Sequence, residues 1–164
     1  MPLGEDGGEG LTGGGRDGST LGRGLPGADF SLPATTGDTV SLSHYRGKRN
    51  LILVFYVGDN TPDCNRQLTS LQEEMETLEA CNTAVLGINP GPLDDHQRYQ
   101  AQLGLTFPLL HDPGAQVAAL YGARQEDGSV RRMVYLIDTQ GMIRYGRLGM
   151  HWNEAFLSAL SALA

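Results

Sequence analysis

The chain has 164 residues, 40% of them hydrophobic, and a formal net charge of −7 at pH 7. That length supports one domain with a buried core, and an acidic balance with scattered Lys and Arg excludes an extended phosphate-binding surface. No apolar run approaches the roughly 20 residues that cross a bilayer, the first residues lack the apolar core of a secretory signal, and two cysteines do not build a disulfide framework. These features predict a cytoplasmic protein with no membrane span and no nucleic-acid partner.

In chain order, residues 1–27 hold eleven of the 23 glycines and almost no large apolar side chains. Such a segment cannot offset its ordering entropy and is predicted to be a disordered tail before a domain over 28–164. Within it, Gly22-Arg23-Gly24-Leu25-Pro26-Gly27 matches the dinucleotide fingerprint, but neither the strand nor the helix that gives that motif its meaning flanks it. A turn at Thr36-Gly37-Asp38 precedes a short alternating segment over 39–42, and the unbroken apolar run 51–57 suits the centre of a parallel sheet. Leu68, Leu71, Met75 and Leu78 recur at helical spacing and predict one helix over 62–79. A strand over 84–88, a helix over 93–103, a strand over 107–110 and a helix over 113–121 follow. A hairpin with arms 132–138 and 142–148 and a closing helix over 153–163 complete the chain. Strands alternating with helices and ending in a hairpin predict an α/β fold, a three-layer α/β/α sandwich with a mixed central sheet.

The chemistry-bearing signal is Thr61-Pro62-Asp63-Cys64, directly after the buried strand and at the start of the predicted helix. Thr61 is a suitable N-cap, Pro62 is favoured at the first helical position, and Cys64 then falls at the third, among the free backbone N–H groups of the helix start. Those amides and the positive end of the helix dipole favour a thiolate. Ionising most of a thiol at neutral pH means lowering a usual pKa of about 8.5 by roughly two units, about 2.7 kcal/mol. A helix terminus supplies about 0.3 to 1 kcal/mol, so a second positive group is required.

With that motif in view, the chain resembles the peroxiredoxins, most closely the bacterioferritin-comigratory type within the thiol-specific antioxidant and alkyl hydroperoxide reductase superfamily. The resemblance covers 28 to about 163 and rests on four stretches in matching order: Phe30-Ser31-Leu32-Pro33 with Val40 to Ser43 and Arg46-Gly47; Phe55-Tyr56 through Cys64; Phe107 to Asp112 with Tyr121-Gly122; and Arg132 through Gly141. It implies a thioredoxin-like fold, Cys64 as the peroxidatic cysteine, Thr61 and Arg132 as its catalytic partners, and Val57, Pro62 and Gln67 as pocket residues. Val57 stands where the family has proline, and valine restores a backbone N–H and releases the backbone angle that proline fixes. The implied chemistry suits the residue types. Charge develops on the departing peroxide oxygen, and a hydroxyl, a backbone N–H and a guanidinium can hold it.

Each of these residues also has a plain structural use. A cysteine at a helix start can be a small buried hydrophobe, Thr61 a cap alone, Gln67 a solvated helix residue, and Arg132 or its neighbour Arg131 a hairpin-edge charge, since strand alternation turns one of the two inward. Cys81 lies seventeen positions after Cys64, roughly 25 Å along a continuous helix, far beyond the ~7 Å that a disulfide allows. Thr69 occupies the position where many relatives carry a resolving cysteine. Cys64 is therefore expected to act as a one-cysteine centre, its sulfenic acid reduced by a thioredoxin-like or low-molecular-weight thiol, or to be resolved by Cys81 of a second subunit. His44, His96, His111 and His151 show no shared motif, so no metal is assigned, and no cofactor is implied. Asp94 and Asp95 fit a helix start, and Tyr145 and Trp152 fit packing near the last helix.

Three functions compete at this stage. The first is a thiol-dependent peroxidase acting on hydrogen peroxide or small organic hydroperoxides. The second is a thioredoxin-like disulfide oxidoreductase, opposed by Thr61 and Arg132 standing where thioredoxin-type motifs place a cysteine and the cis-proline. The third is a catalytically impaired redox sensor or binding module. The resemblance also implies a homodimer.

Overall fold

The computed structural model describes residues 22–149 and 154–163. Two short antiparallel strands come first, β1 (Ser31–Pro33) and β2 (Thr39–Ser41), joined by the expected turn. There follow β3 (Asn50–Phe55), α1 (Pro62–Glu73), α2 (Met75–Ala80), β4 (Thr83–Asn89), α3 (Leu93–Leu103), β5 (Leu109–His111), α4 (Gln116–Leu120), β6 (Met133–Ile137), β7 (Ile143–Leu148) and α5 (Glu154–Ala162). The main sheet has the order β5-β4-β3-β6-β7. β4 pairs parallel with β3 and β5, whereas β6 is antiparallel to β3 and to β7, so the sheet is mixed as expected.

Every residue of β3 is buried, because its alternating side chains serve two cores. Leu51, Leu53 and Phe55 pack on one face with Tyr121, Tyr135, Val117 and Ala118, under α4 and the β1–β2 ribbon. Ile52, Val54 and Tyr56 pack on the other with Cys64, Leu68, Leu71, Tyr99 and Leu160, beneath α1, α3 and α5. This is the three-layer sandwich, and the burial of each such aliphatic side chain contributes about 1.5 to 3 kcal/mol.

Several boundaries differ from the sequence-based expectation for identifiable reasons. The single helix over 62–79 is interrupted at Glu74 (φ −96°, ψ 3°). Glu73, Glu74 and Glu76 crowd negative charge onto the C-terminal end of α1, where the helix dipole opposes it. The strand expected over 51–57 ends at Phe55, and Val57 is 49% exposed instead of buried. The helix over 113–121 begins with a distorted 3-10 turn, since Gly114 and Ala115 adopt φ of 69° and 55°, and only Gln116–Leu120 is α-helical. Arg132 lies one residue before β6.

Residues 1–21 of the expected tail, with Trp152 and His151, lie outside the described residues. The segment 22–27 is tied down. Gly24 N–H donates to the Ile143 carbonyl, Ile143 N–H to Leu25, and Gly27 N–H to Gly141. Gly27 permits this approach, because a Cβ there would lie 3.1 Å from Ile137 Cδ1 and 3.1 Å from the Tyr121 hydroxyl. The structured part thus begins before Ala28.

Candidate active site

Thr61 leaves the loop after β3 in an extended conformation (φ −92°, ψ 145°) and caps α1, its Oγ1 accepting from Cys64 N–H at 3.4 Å. Pro62 occupies the first helical position. Cys64 therefore sits at the third, with no exposed surface, packed among Val54, Tyr56, Leu68 and Tyr99. The Thr61 hydroxyl donates to the Gly58 carbonyl at 3.5 Å. Both bonds are longer than the ~2.9 Å of a strong hydrogen bond.

Arg132 reaches the same helix terminus from the other side of the site. Its Nη1 lies 3.3 Å from Asp63 Oδ2, and Asp63 is also paired with Arg66. Arg131 is the solvated one of the two, donating to the Gly122 carbonyl. Gln67 follows Cys64 by three residues on the buried face of α1 and is 4% exposed, not a solvated residue, and its Nε2 and Oε1 have no hydrogen-bond partner among the described residues. Val57 and Pro62 are exposed at the rim. Cys81 is a half-buried free thiol at the C-terminal cap of α2, packed against the core that contains Cys64. Among the described residues no group of three or more His, Cys, Asp or Glu is arranged to hold a metal ion, and no helix is long and apolar enough to cross a membrane.

The tertiary structure adds residues that the sequence reading passed over. His96 on α3 is completely buried, with Nδ1 at 2.8 Å from Asp59 Oδ2 and Nε2 at 3.1 Å from the Asn89 carbonyl. Tyr56 Oη donates to Asp59 Oδ1 at 3.0 Å. Asn89 Nδ2 holds the Tyr56 carbonyl at 2.8 Å, and Asn89 Oδ1 accepts from Gly91 N–H at 2.7 Å. Tyr99, stacked on Tyr56, donates to Asn65 Oδ1 at 2.5 Å. Burial, reinforced by the Asp59 carboxylate, pushes the Tyr56 phenol far above its ordinary range. Burial also raises Tyr99 to about 12, a backbone hydrogen bond with Asn60 opposing and the Cys64 and Asp59 charges adding. Both phenols stay neutral donors at physiological pH. A signal for His96 was available, since Leu93, His96 and Tyr99 recur every three residues on one face of α3.

Comparison with known proteins places this geometry. The model of the AhpC/TSA family matches residues 24–146. Alkyl hydroperoxide reductase E of Mycobacterium tuberculosis is 34% identical over 145 residues, spanning 82% of this chain and 94% of that protein. The crystal structure of peroxidoxin BcpB from Mycobacterium tuberculosis superposes with a TM-score of 0.77 at 25% identity, covering 86% of this chain and 95% of the other. Peroxiredoxin Q of Xanthomonas campestris shares the fold, with a TM-score of 0.72 at 19% identity over 82% of this chain and 89% of the other.

Proposed function

The chain belongs to the AhpC/TSA family and is a thioredoxin-fold thiol peroxidase, and on that premise we propose that Cys64 is its peroxidatic cysteine, acting on hydrogen peroxide or small organic hydroperoxides. The observation that carries this reading is the burial of Cys64 at the third position of α1, with its own N–H and the Thr61 hydroxyl converging beside it and Arg132 at the same helix terminus. Small peroxides suit a thiol with no exposed surface, and a relative named alkyl hydroperoxide reductase supports organic hydroperoxides.

In the reaction the Cys64 thiolate attacks the terminal peroxide oxygen. The S–O bond forms as the O–O bond breaks, sulfur is oxidised to sulfenate, and the departing alkoxide or hydroxide takes up a proton to leave as alcohol or water. The Cys64 amide, the Thr61 hydroxyl and the Arg132 guanidinium supply donors to the developing oxyanion. The first two exchange their long resting bonds for stronger ones. Gln67, a buried amide one turn along the helix, and the rim residues Val57 and Pro62 complete the pocket.

Regeneration uses an external thiol. One reductant thiol condenses with the sulfenic acid, releasing water and forming a mixed disulfide, and a second thiol cleaves that disulfide to restore Cys64. Cys81 of a second subunit is the other resolving group consistent with its distance along the chain. A thioredoxin-like or low-molecular-weight thiol in the cytoplasm fits this cycle. Association into a homodimer beside the site draws support from Val57 and Leu148, which are 49% and 42% exposed. They flank one end of the sheet, where Phe55 pairs with Met133 and Met133 with Leu148.

The test is the rate of Cys64 oxidation by one equivalent of hydrogen peroxide at neutral pH, with Cys64→Ser as control and intact mass recorded without reductant. Consumption orders of magnitude faster than that of free cysteine is expected, with a mass gain of one oxygen or a linked dimer. Oxidation no faster than free cysteine would overturn the assignment.

A further inference from the structure

The proposed chemistry makes no use of a completely buried imidazole near the site. His96 has no exposed surface, and both its ring nitrogens face acceptors: a carboxylate oxygen of Asp59 at 2.8 Å and the Asn89 carbonyl oxygen at 3.1 Å. A short contact between Nδ1 and a carboxylate oxygen needs a proton between them, and Nε2 needs its own to meet a carbonyl. The ring is thus the direct partner of the Asp59 carboxylate. Asp59 belongs to the loop that connects β3 to Thr61, and its other oxygen takes the Tyr56 hydroxyl. The neighbourhood is tight. A Cβ on Gly91 would lie 3.0 Å from Asn89 Oδ1 and 3.2 Å from His96 Cε1.

We propose that His96 is a positioning residue for the Cys64 site, holding the loop that carries the Thr61 cap and cancelling the Asp59 carboxylate that would otherwise stand as an uncompensated negative charge beside the reacting sulfur. The arrangement matters because Tyr56 packs in the same core as Cys64 and Tyr99 and donates its hydroxyl to Asp59 Oδ1 at 3.0 Å, so one side chain links the carboxylate to the surroundings of the sulfur. An unpaired carboxylate there disfavours a second negative charge. Among the described residues, Asp63 and Arg66 on α1 and Arg132 before β6 are charged groups at the same helix terminus, and they are joined by ion pairs. The inference rests on Cys64 as the reacting thiol, but its test does not require peroxide.

In a Cys81→Ser background, the rate of Cys64 alkylation by iodoacetamide is measured across pH for the parent, His96→Gln, Asp59→Asn and the double variant. His96→Gln leaves the carboxylate unpaired and should move the midpoint of the profile up by about one pH unit, slowing alkylation at neutral pH about threefold for a thiol that starts mostly ionised. Asp59→Asn removes the charge and should leave the midpoint in place or lower it. The double variant should return to the parental profile. If His96→Gln fails to fold while the double variant folds, the same compensation is shown by rescue. Equal upward movement in both single variants without recovery in the double, no movement in any, or failure of both His96 variants to fold would each overturn the proposal. Slow peroxide oxidation of the parent would instead count against the peroxidatic assignment alone.

Discussion

Replacing Gln67 by methionine separates the stability of the fold from the chemistry of the site. Gln67 is 4% exposed, and neither its Nε2 nor its Oε1 has a hydrogen-bond partner among the described residues. An unpaired buried amide costs about 1 to 3 kcal/mol. Methionine matches glutamine in length and in helix propensity and removes that penalty without opening a cavity. Reduced Gln67→Met protein should therefore gain about 1 to 2 kcal/mol in urea unfolding, a rise of roughly 3 to 6 °C in Tm at this size. The same change removes a polar group one turn from Cys64, so the second-order rate of peroxide oxidation should fall about tenfold, equivalent to about 1.4 kcal/mol of transition-state stabilisation. Stopped-flow oxidation and equilibrium unfolding on one preparation read both quantities. A loss of stability of 1 kcal/mol or more would show that the amide is structurally paired in solution. A gain in stability with an unchanged rate would show that it does not face the reacting atoms.

Two further outcomes follow from the same geometry. Arg132→Met should shift the Cys64 alkylation profile to higher pH and slow peroxide oxidation by about tenfold, the low end for an opposite charge because the guanidinium is half-exposed; an unchanged profile would remove Arg132 from the site. Asp138 accepts from Gln140 N–H, Met142 N–H and Arg144 Nε, and although burial opposes it, these bonds hold its carboxyl below the usual range. Its contribution is present above the unfolded value of about 3.9 and is lost as pH falls through the lower folded value. Asp138→Asn should therefore cost about 1 kcal/mol at pH 7 and approach no cost in unfolding measured below pH 3, whereas a cost independent of pH would refute the ionic origin.

The sequence by itself determined the local half of this protein. The unbroken apolar run that opens at Leu51, the three-and-four spacing of Leu68 and Leu71, and the cap at Thr61 with proline after it are signals between near neighbours. The structure reproduces each at its place, including Cys64 at the third position of α1. The interruption at Glu74 was less legible, because helix periodicity continues through it to Leu78 while the acidic run breaks the backbone. Tertiary structure alone decided which polar residues share a neighbourhood. Gln67 looks solvated by composition yet is buried, because the face of α1 that carries Cys64 lies on the sheet. Asp59 and His96 are 37 residues apart, and no local pattern relates them. They meet because β3 and β4 pair in parallel, with Phe55 opposite Ile88, which brings the loop after one strand against the helix after the other. Pairing register of that kind is a property of the assembled sheet, and only folding makes it visible.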